Sequence, residues 1–171
     1  FRKPDPSFVL NGVLAGLVAI TAGCDVISVP FSLLTGAVAG CLVVIAAVSI
    51  DRLRIDDPVG AVSVHGICGA WGTLAVGLFA MDGGLVTTGS GHQLLVQAAG
   101  VLAAFVWSFG LALLLFYVIK ATVGLRVTPE TELTGLDISE HGILAYPESF
   151  VVDTGMPMSS SAVLSQRHNR I

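Results

Sequence analysis

The chain has 171 residues, of which 54% are hydrophobic and only 12% are charged. Soluble domains carry roughly 25% charged residues, so this composition would leave the surface of a soluble fold poorly solvated. The formal net charge of −4 is mild, and nothing in the sequence predicts a nucleic-acid partner. Composition therefore argues against a soluble globular domain and favours a protein that is largely surrounded by lipid.

Four apolar stretches have the length of membrane-spanning helices or approach it. A bilayer core of roughly 30 Å requires about 20 apolar residues in a helix. The stretches are unbroken, rich in Ala, Leu and Gly, and lack the alternation that is typical of β-strands. We predict an all-α, polytopic transmembrane bundle within residues 1–123, with Asp5 or Ser7 as the first cap and with helices at residues 6–21, 30–50, 59–81 and 94–122.

The positive charges provide an independent check on this topology. All eight Lys and Arg residues lie near the N-terminus, between the second and third stretches, or from the end of the fourth stretch onward. The other two loops, residues 22–29 and 82–93, contain none. Because Lys and Arg stay on the cytoplasmic face, this distribution predicts four spans in the cell membrane with both termini cytoplasmic.

Small residues recur inside the apolar stretches at four-residue spacing, as at Gly12 and Gly16 and again at Gly36 and Gly40. Lipid provides no hydrophobic force between helices, so helices associate in a membrane through close backbone approach at such residues. The spacing therefore predicts that the helices pack tightly against one another.

Three cysteines and two tryptophans have no spacing that indicates chemistry. Cys24, Cys41 and Cys68 lie in apolar surroundings and form no metal-ligand pattern, so we predict three small buried thiols. Trp71 and Trp107 lie in the middle of stretches rather than at the interfaces where aromatic belts form. We predict that both tryptophans are packing residues.

The composition changes after residue 123. Residues 124–148 are polar and mixed, and four acidic side chains lie between Glu130 and Glu140. We predict a structured cytoplasmic segment there. Residues 149–171 include three consecutive serines and a polar end, and we predict a disordered tail.

His65 is the residue in the predicted spans that we expect to carry chemistry. An ionisable side chain at membrane depth is costly and by default marks a pathway or a relay. Apolar surroundings favour the neutral imidazole, in which one ring nitrogen donates a hydrogen bond and the other accepts one. Such a ring can line a narrow pore and accept a proton from a cationic substrate. The alternative is a core histidine that is bonded to the carbonyl group of a neighbouring helix.

The other charged side chains have simpler explanations. Asp56 and Asp57 precede the third stretch, where a carboxylate stabilises the N-terminus of a helix, so a structural role is predicted for them. Asp25 and Asp82 are expected to be solvated loop residues. The sequence has no pattern typical of a nucleophile with its base, a phosphate loop, a metal site or a cofactor site. We therefore expect a protein that is not an enzyme.

Several motifs occur in order between residues 8 and 146. They are GLVAIT at residues 16–21, DDPVGAVSVHGICG at 56–69, GHQLLVQ at 91–97, and GLRV, GLDISEHG and AY at 124–127, 135–142 and 145–146. In this order they resemble the eighth, tenth and eleventh spans and the cytoplasmic C-terminal region of the ammonium transporter (Amt/Mep/Rh) family, closest to its bacterial Amt branch.

The resemblance implies an eleven-span subunit with two halves of inverted topology, assembled as a homotrimer with one pore in each subunit. This chain would then hold the eighth to eleventh spans. His65 would be the second of two pore histidines, beside which ammonia crosses after ammonium has lost its proton, and Asp57 would be a structural carboxylate at a helix start. The first histidine belongs to earlier spans that this chain does not contain. We therefore expect the C-terminal part of a longer ammonium channel or transporter.

The resemblance also implies a role for Gly135, Asp137, His141, Gly142 and Tyr146, which match the family's C-terminal region. In the family this region packs under the neighbouring subunit and couples the three pores. PII-type signal proteins bind at the cytoplasmic mouth in many bacteria and archaea. Two alternatives remain open: an ammonium sensor with an Amt-like core, and a structural membrane-interaction module in which the histidine only packs.

Overall fold

The structure is a computed structural model that describes residues 5–143. These residues divide into two compact units, the first ending at Leu114 and the second beginning at Leu115. The predicted tail at residues 149–171 and the predicted site residue Tyr146 lie outside the described residues.

The described part of the chain is helical, as the sequence predicted. Its β-structure is limited to one isolated antiparallel bridge, between Ile27 and Ala80. In chain order, the elements are α1 (Pro6–Thr21), α2 (Val29–Arg52), a π-helix (Ala61–Cys68) that continues into α3 (Gly69–Phe79), the short α4 (Leu85–Thr88), α5 (His92–Thr122), α6 (Pro129–Thr134) and a π-helical turn (Asp137–His141).

Three helices in residues 5–143 are long and apolar enough to cross a membrane. They are α2, the continuous helix Ala61–Phe79 and α5. The first helix, α1, is apolar but has only 16 residues. Its cap is Asp5, whose Oδ1 accepts a hydrogen bond from the Ser7 N–H at 2.8 Å. The division of the chain into four spans stays a prediction.

Small residues bring α1, α2 and α3 together. A Cβ built on Gly16 would lie 4.0 Å from the Cα of Gly36, so the backbones of α1 and α2 approach closely there. A Cβ on Gly72 would overlap the carbonyl oxygen of Ala19, so α3 rests directly on the backbone of α1. The buried core between these helices consists of Ala15, Ala19, Ala39, Val43, Val64 and Cys68.

Two hydrogen bonds to helix carbonyl groups join the third helix to α2. The Trp71 Nε1–H donates to the carbonyl oxygen of Thr35 at 3.0 Å. The Cys68 thiol donates to the carbonyl oxygen of Ala39 at 3.6 Å. Thr35 is fully buried, and its own hydroxyl donates to the Phe31 carbonyl at 2.8 Å. Trp71 is thus a packing residue that also bonds two helices together.

The prediction of three buried cysteines and two packed tryptophans is only partly right. Cys68 is buried, but Cys24 and Cys41 are exposed. Cys24 lies in the loop between α1 and α2, and Cys41 lies on a face of α2 that no other described helix covers. Trp107 is 71% exposed, because α5 buries none of its residues within the described chain.

Close contacts also hold the far end of α3. The Met81 N–H donates to the Val26 carbonyl at 2.8 Å, which ties the end of α3 to the loop before α2. A Cβ built on Gly77 would lie 2.5 Å from the Cα of Leu94, so the first turn of α5 packs directly on α3. These contacts fix the C-terminal end of the helix that carries His65.

Candidate functional site

His65 lies in the middle of the π-helix Ala61–Cys68. π-helices are rare, usually one turn long, and frequent at functional sites; this one has eight residues. Val64 and Cys68 are buried on one face, against α1 and α2. His65 is exposed, and its ring makes no hydrogen bond to any residue between 5 and 143. No helix carbonyl of that part of the chain therefore holds the imidazole.

The carboxylate of Asp57 closes the first turn of this π-helix. Its Oδ1 accepts a hydrogen bond from the Val62 N–H at 3.0 Å. Its Oδ2 accepts two hydrogen bonds from Ser63, one from the backbone N–H at 2.9 Å and one from the hydroxyl at 2.8 Å. Both oxygens are thus used to satisfy N–H groups that a helix start leaves without partners.

These contacts also determine the charge of Asp57. Burial raises the pKa of the carboxyl group, but the hydrogen bonds from the N–H groups of Val62 and Ser63 and from the Ser63 hydroxyl, with the nearby Ala61 N–H, favour the charged form more strongly. The pKa of Asp57 therefore lies below its ordinary value. The side chain of Asp57, which we call a clamp because it bonds to both Val62 and Ser63 at the helix start, is therefore an ionised carboxylate at neutral pH.

Gly60 lets the chain enter the π-helix from the loop that carries Asp57. Its φ of +72° lies in the left-handed region, which glycine adopts without the steric cost that a Cβ brings. A Cβ there would also lie 3.0 Å from Cγ2 of Val64. The turn thus depends on glycine for both its conformation and its space.

Replacement of Asp57 by asparagine is expected to lower the free energy of unfolding at neutral pH by about 1–3 kcal/mol, because charge-assisted hydrogen bonds are lost. The pKa of Asp57 is depressed in the folded state. Its contribution is therefore complete above the unfolded value of about 4 and is lost as pH falls through the lower folded value. Thermal unfolding of the detergent-solubilised protein should show the difference between wild type and variant shrinking on acidification.

The matched control for this measurement is Asp56→Asn, because Asp56 is the exposed neighbour of Asp57. This control should leave the unfolding temperature unchanged at both pH values. If the unfolding temperature of Asp57→Asn lay below that of the wild type by the same amount at neutral and acidic pH, the expected dependence on the protonation of Asp57 would be contradicted.

A cavity of about 470 Å³ adjoins the loop of Asp57. Its lining combines carboxylates with apolar side chains. No group of His, Cys, Asp or Glu in residues 5–143 could hold a metal ion. The lining residues are Ala47, Ile50, Asp51, Ile55, Asp56, Asp57 and Pro58.

The predicted C-terminal site residues lie in the second unit. Asp137 and His141 begin and end one π-helical turn. Gly135 and Gly142 flank it, with φ of +95° and +69°.

The same unit contains one capped helix and one exposed ion pair. The hydroxyl of Thr128, the cap of α6, accepts a hydrogen bond from the Thr131 N–H at 3.3 Å. Arg126 and Glu132 form a pair at 3.5 Å, and both side chains are exposed. An exposed pair of this kind adds little stability, so the cap is the stronger local constraint.

Ser63 is the site residue that sequence reasoning did not identify. It is 1% exposed and provides two of the hydrogen bonds to Asp57. The signal available in the sequence was a hydroxyl side chain near the start of an apolar stretch, six residues after a carboxylate and two before His65.

Comparison with known proteins identifies the family. The model of the Ammonium Transporter Family matches residues 1–146. The chain belongs to this family. Its members are integral membrane transport proteins and not enzymes, as the sequence predicted.

The relatives are transporters from several organisms. The chain is 38% identical over 169 residues to the ammonium transporter Amt2 of Archaeoglobus fulgidus, covering 92% of this chain and 36% of that protein. It is 48% identical over 141 residues to a putative ammonium transporter of Synechocystis sp., covering 82% of this chain and 30% of the relative. The chain thus spans about a third of the length of these relatives.

A solved structure named Sensor Amt Protein shares the fold. It superposes with a TM-score of 0.75 at 43% sequence identity and covers 82% of this chain and 35% of that chain. The arrangement of helices around the π-helix is therefore an Amt arrangement.

Proposed function

We propose that this chain is part of an ammonium channel or transporter and that His65 is the second histidine of its pore. The observation that supports this most is the position of His65 on the π-helix. The opposite face of that helix is buried against α1 and α2, whereas His65 is exposed and has no partner between residues 5 and 143. The imidazole is therefore available to line a pathway that the remainder of the protein completes.

The chemistry of ammonium makes a neutral imidazole suitable at this position. A cation that enters a narrow apolar pathway loses its hydration, which costs far more than the same step for a neutral molecule. Ammonia, the neutral form, can donate to one ring nitrogen of the imidazole and accept from the other. We propose that ammonium loses its proton at the entrance, that ammonia passes beside His65, and that the proton is relayed separately.

We also propose an orientation and an assembly. The loop with Arg52 and Arg54 would lie on the cytoplasmic side together with Lys120 and Arg126, because positive residues remain inside. The complete protein would be a homotrimer.

In this assembly the segment with Gly135, Asp137, His141 and Gly142, continuing to Tyr146, would couple the subunits. The same cytoplasmic face would receive a PII-type signal protein. We retain the structural role of Asp57 at the helix start, which its three hydrogen bonds support.

The second candidate is an ammonium sensor with an Amt-like core. The observation that favours it is the similarity to the structure named Sensor Amt Protein. A sensor and a transporter share the core fold, so the distinction depends on whether the substrate crosses the membrane.

Substrate flux through the complete protein in liposomes separates these functions. A transporter should take up labelled methylammonium several-fold faster than liposomes without protein, and unlabelled ammonium should compete. A sensor should bind ammonium, as isothermal titration would show, with uptake equal to that of empty liposomes. If the protein neither bound ammonium nor took up methylammonium, both functions would be contradicted. The structural membrane-interaction module would then remain.

A further inference from the structure

The π-helix that carries His65 is held in two places. At its C-terminal end, Cys68 is buried between α1 and α2, and its thiol donates a hydrogen bond to the Ala39 carbonyl. At its start, the Asp57 carboxylate accepts hydrogen bonds from the N–H groups of Val62 and Ser63. His65 lies between these two anchors.

The hydroxyl of Ser63 behaves differently from those of Thr35 and Ser49 in α2. The Thr35 and Ser49 hydroxyls donate to carbonyl oxygens four residues earlier, at 2.8 and 2.6 Å. This is the common bond of a helical hydroxyl group. The Ser63 hydroxyl instead donates to Oδ2 of Asp57, which lies before the helix begins. Ser63 therefore connects the π-helix to the loop and not to its own preceding turn.

The register of the helix determines where His65 points. A π-helix bonds each N–H to the carbonyl five residues earlier instead of four, so it takes up one residue more than an α-helix of the same number of turns. One residue corresponds to a rotation of about 100° in an α-helix. If Ala61–Cys68 adopted the α register while Cys68 stayed in place, the imidazole of His65 would rotate about the helix axis by up to about 100°.

We propose that Ser63 is a positioning residue for His65. Its hydroxyl and N–H, both bonded to Asp57, hold Ala61–Cys68 in the π register and so direct the imidazole into the pathway. The proposal rests on the pore function of His65, but the orientation of the ring can be measured without transport. A purely structural Ser63 would affect stability and leave the ring where it is.

The test uses the complete protein in lipid bilayers and the variant Ser63→Ala, which removes the hydroxyl and keeps the N–H. We expect a maximal rate of methylammonium uptake about tenfold lower, since one charge-assisted hydrogen bond holds the register. We also expect displaced ¹⁵N NMR signals of the His65 ring, which a His65→Gln sample assigns. Ser63→Thr, which restores the hydroxyl, should restore both the rate and the ring signals.

The matched control is Ser49→Ala, because Ser49 is an exposed helical serine whose hydroxyl bonds only within its own helix. It should change neither the rate nor the ring signals. If Ser63→Thr fails to assemble, Asp57→Asn replaces one of the two acceptor oxygens with a donor and must displace the same signals.

Ring signals of Ser63→Ala identical to those of the wild type would overturn the proposal, whether or not the rate falls. Displaced signals that Asp57→Asn does not reproduce would also overturn it. Absence of uptake by the wild type would instead refute the transport function, while the ring signals would still decide the role of Ser63.

Discussion

The variant His65→Ala is expected to reduce methylammonium uptake by on the order of 100-fold, the size of effect seen when a group that transfers protons is removed. The imidazole provides a donor and an acceptor at a point where the helix Ala61–Phe79 has no other histidine and no Asp, Glu, Lys or Arg. Alanine has neither a donor nor an acceptor in its side chain. Ammonia would then lose its hydrogen bonds at this point, and the imidazole that takes part in proton transfer would be missing. Uptake by the complete protein in liposomes measures this effect.

The matched control is His92→Ala. His92 is an exposed histidine at the first position of α5, and its backbone N–H donates to the Ser90 hydroxyl at 3.4 Å. Uptake should be unchanged in this variant. Both variants should elute from a size-exclusion column like the wild type, so that the loss in His65→Ala reflects the pathway. Unchanged uptake by a well-folded His65→Ala protein would refute the pore assignment.

The second large effect is expected at Gly72, and it concerns folding. A methyl group at this position would overlap the carbonyl oxygen of Ala19, which belongs to the backbone of α1 and cannot rotate away. Helices α1 and α3 would have to separate, and overpacking of this kind costs about 1–3 kcal/mol or more. Gly72→Ala should therefore lower the unfolding temperature in detergent and reduce the yield of assembled protein.

Gly12→Ala is the matched control, because it places the same substitution in α1, where a Cβ would meet no atom of residues 5–143 within 4 Å. Since alanine favours a helix more than glycine does, this variant should be as stable as the wild type or slightly more stable. Equal unfolding temperatures for Gly72→Ala and the wild type would show that the two helices do not meet as closely as described.

The glycines show how far sequence reasoning extends. Four-residue spacing identified the correct kind of contact, and Gly16 and Gly36 do meet across α1 and α2. Gly12 and Gly40 follow the same spacing, yet a Cβ on either would find open space. Spacing places residues on one face of a helix, but it contains no information on which part of that face a neighbour covers.

The sequence predicted neither the exposure of Cys41 nor the π-helix, and the two reasons are related. Cys41 and Cys68 lie in equally apolar sequence, but only Cys68 faces other described helices. The π register of Ala61–Cys68 differs from an α register by a single residue. In a membrane helix that is apolar on all sides, hydrophobic periodicity is too weak to reveal such a difference.

The sequence by itself determined the class of protein, its helical nature and the presence of a histidine inside the third apolar stretch. These features depend on composition and on the length of apolar runs, which are properties of the chain read locally. Only the tertiary structure revealed the Asp57–Ser63 clamp, the contact of Gly72 with Ala19 and the exposed position of His65. Such contacts join groups that are separated along the chain or differ by one residue in helical register, so they exist only after the helices have packed.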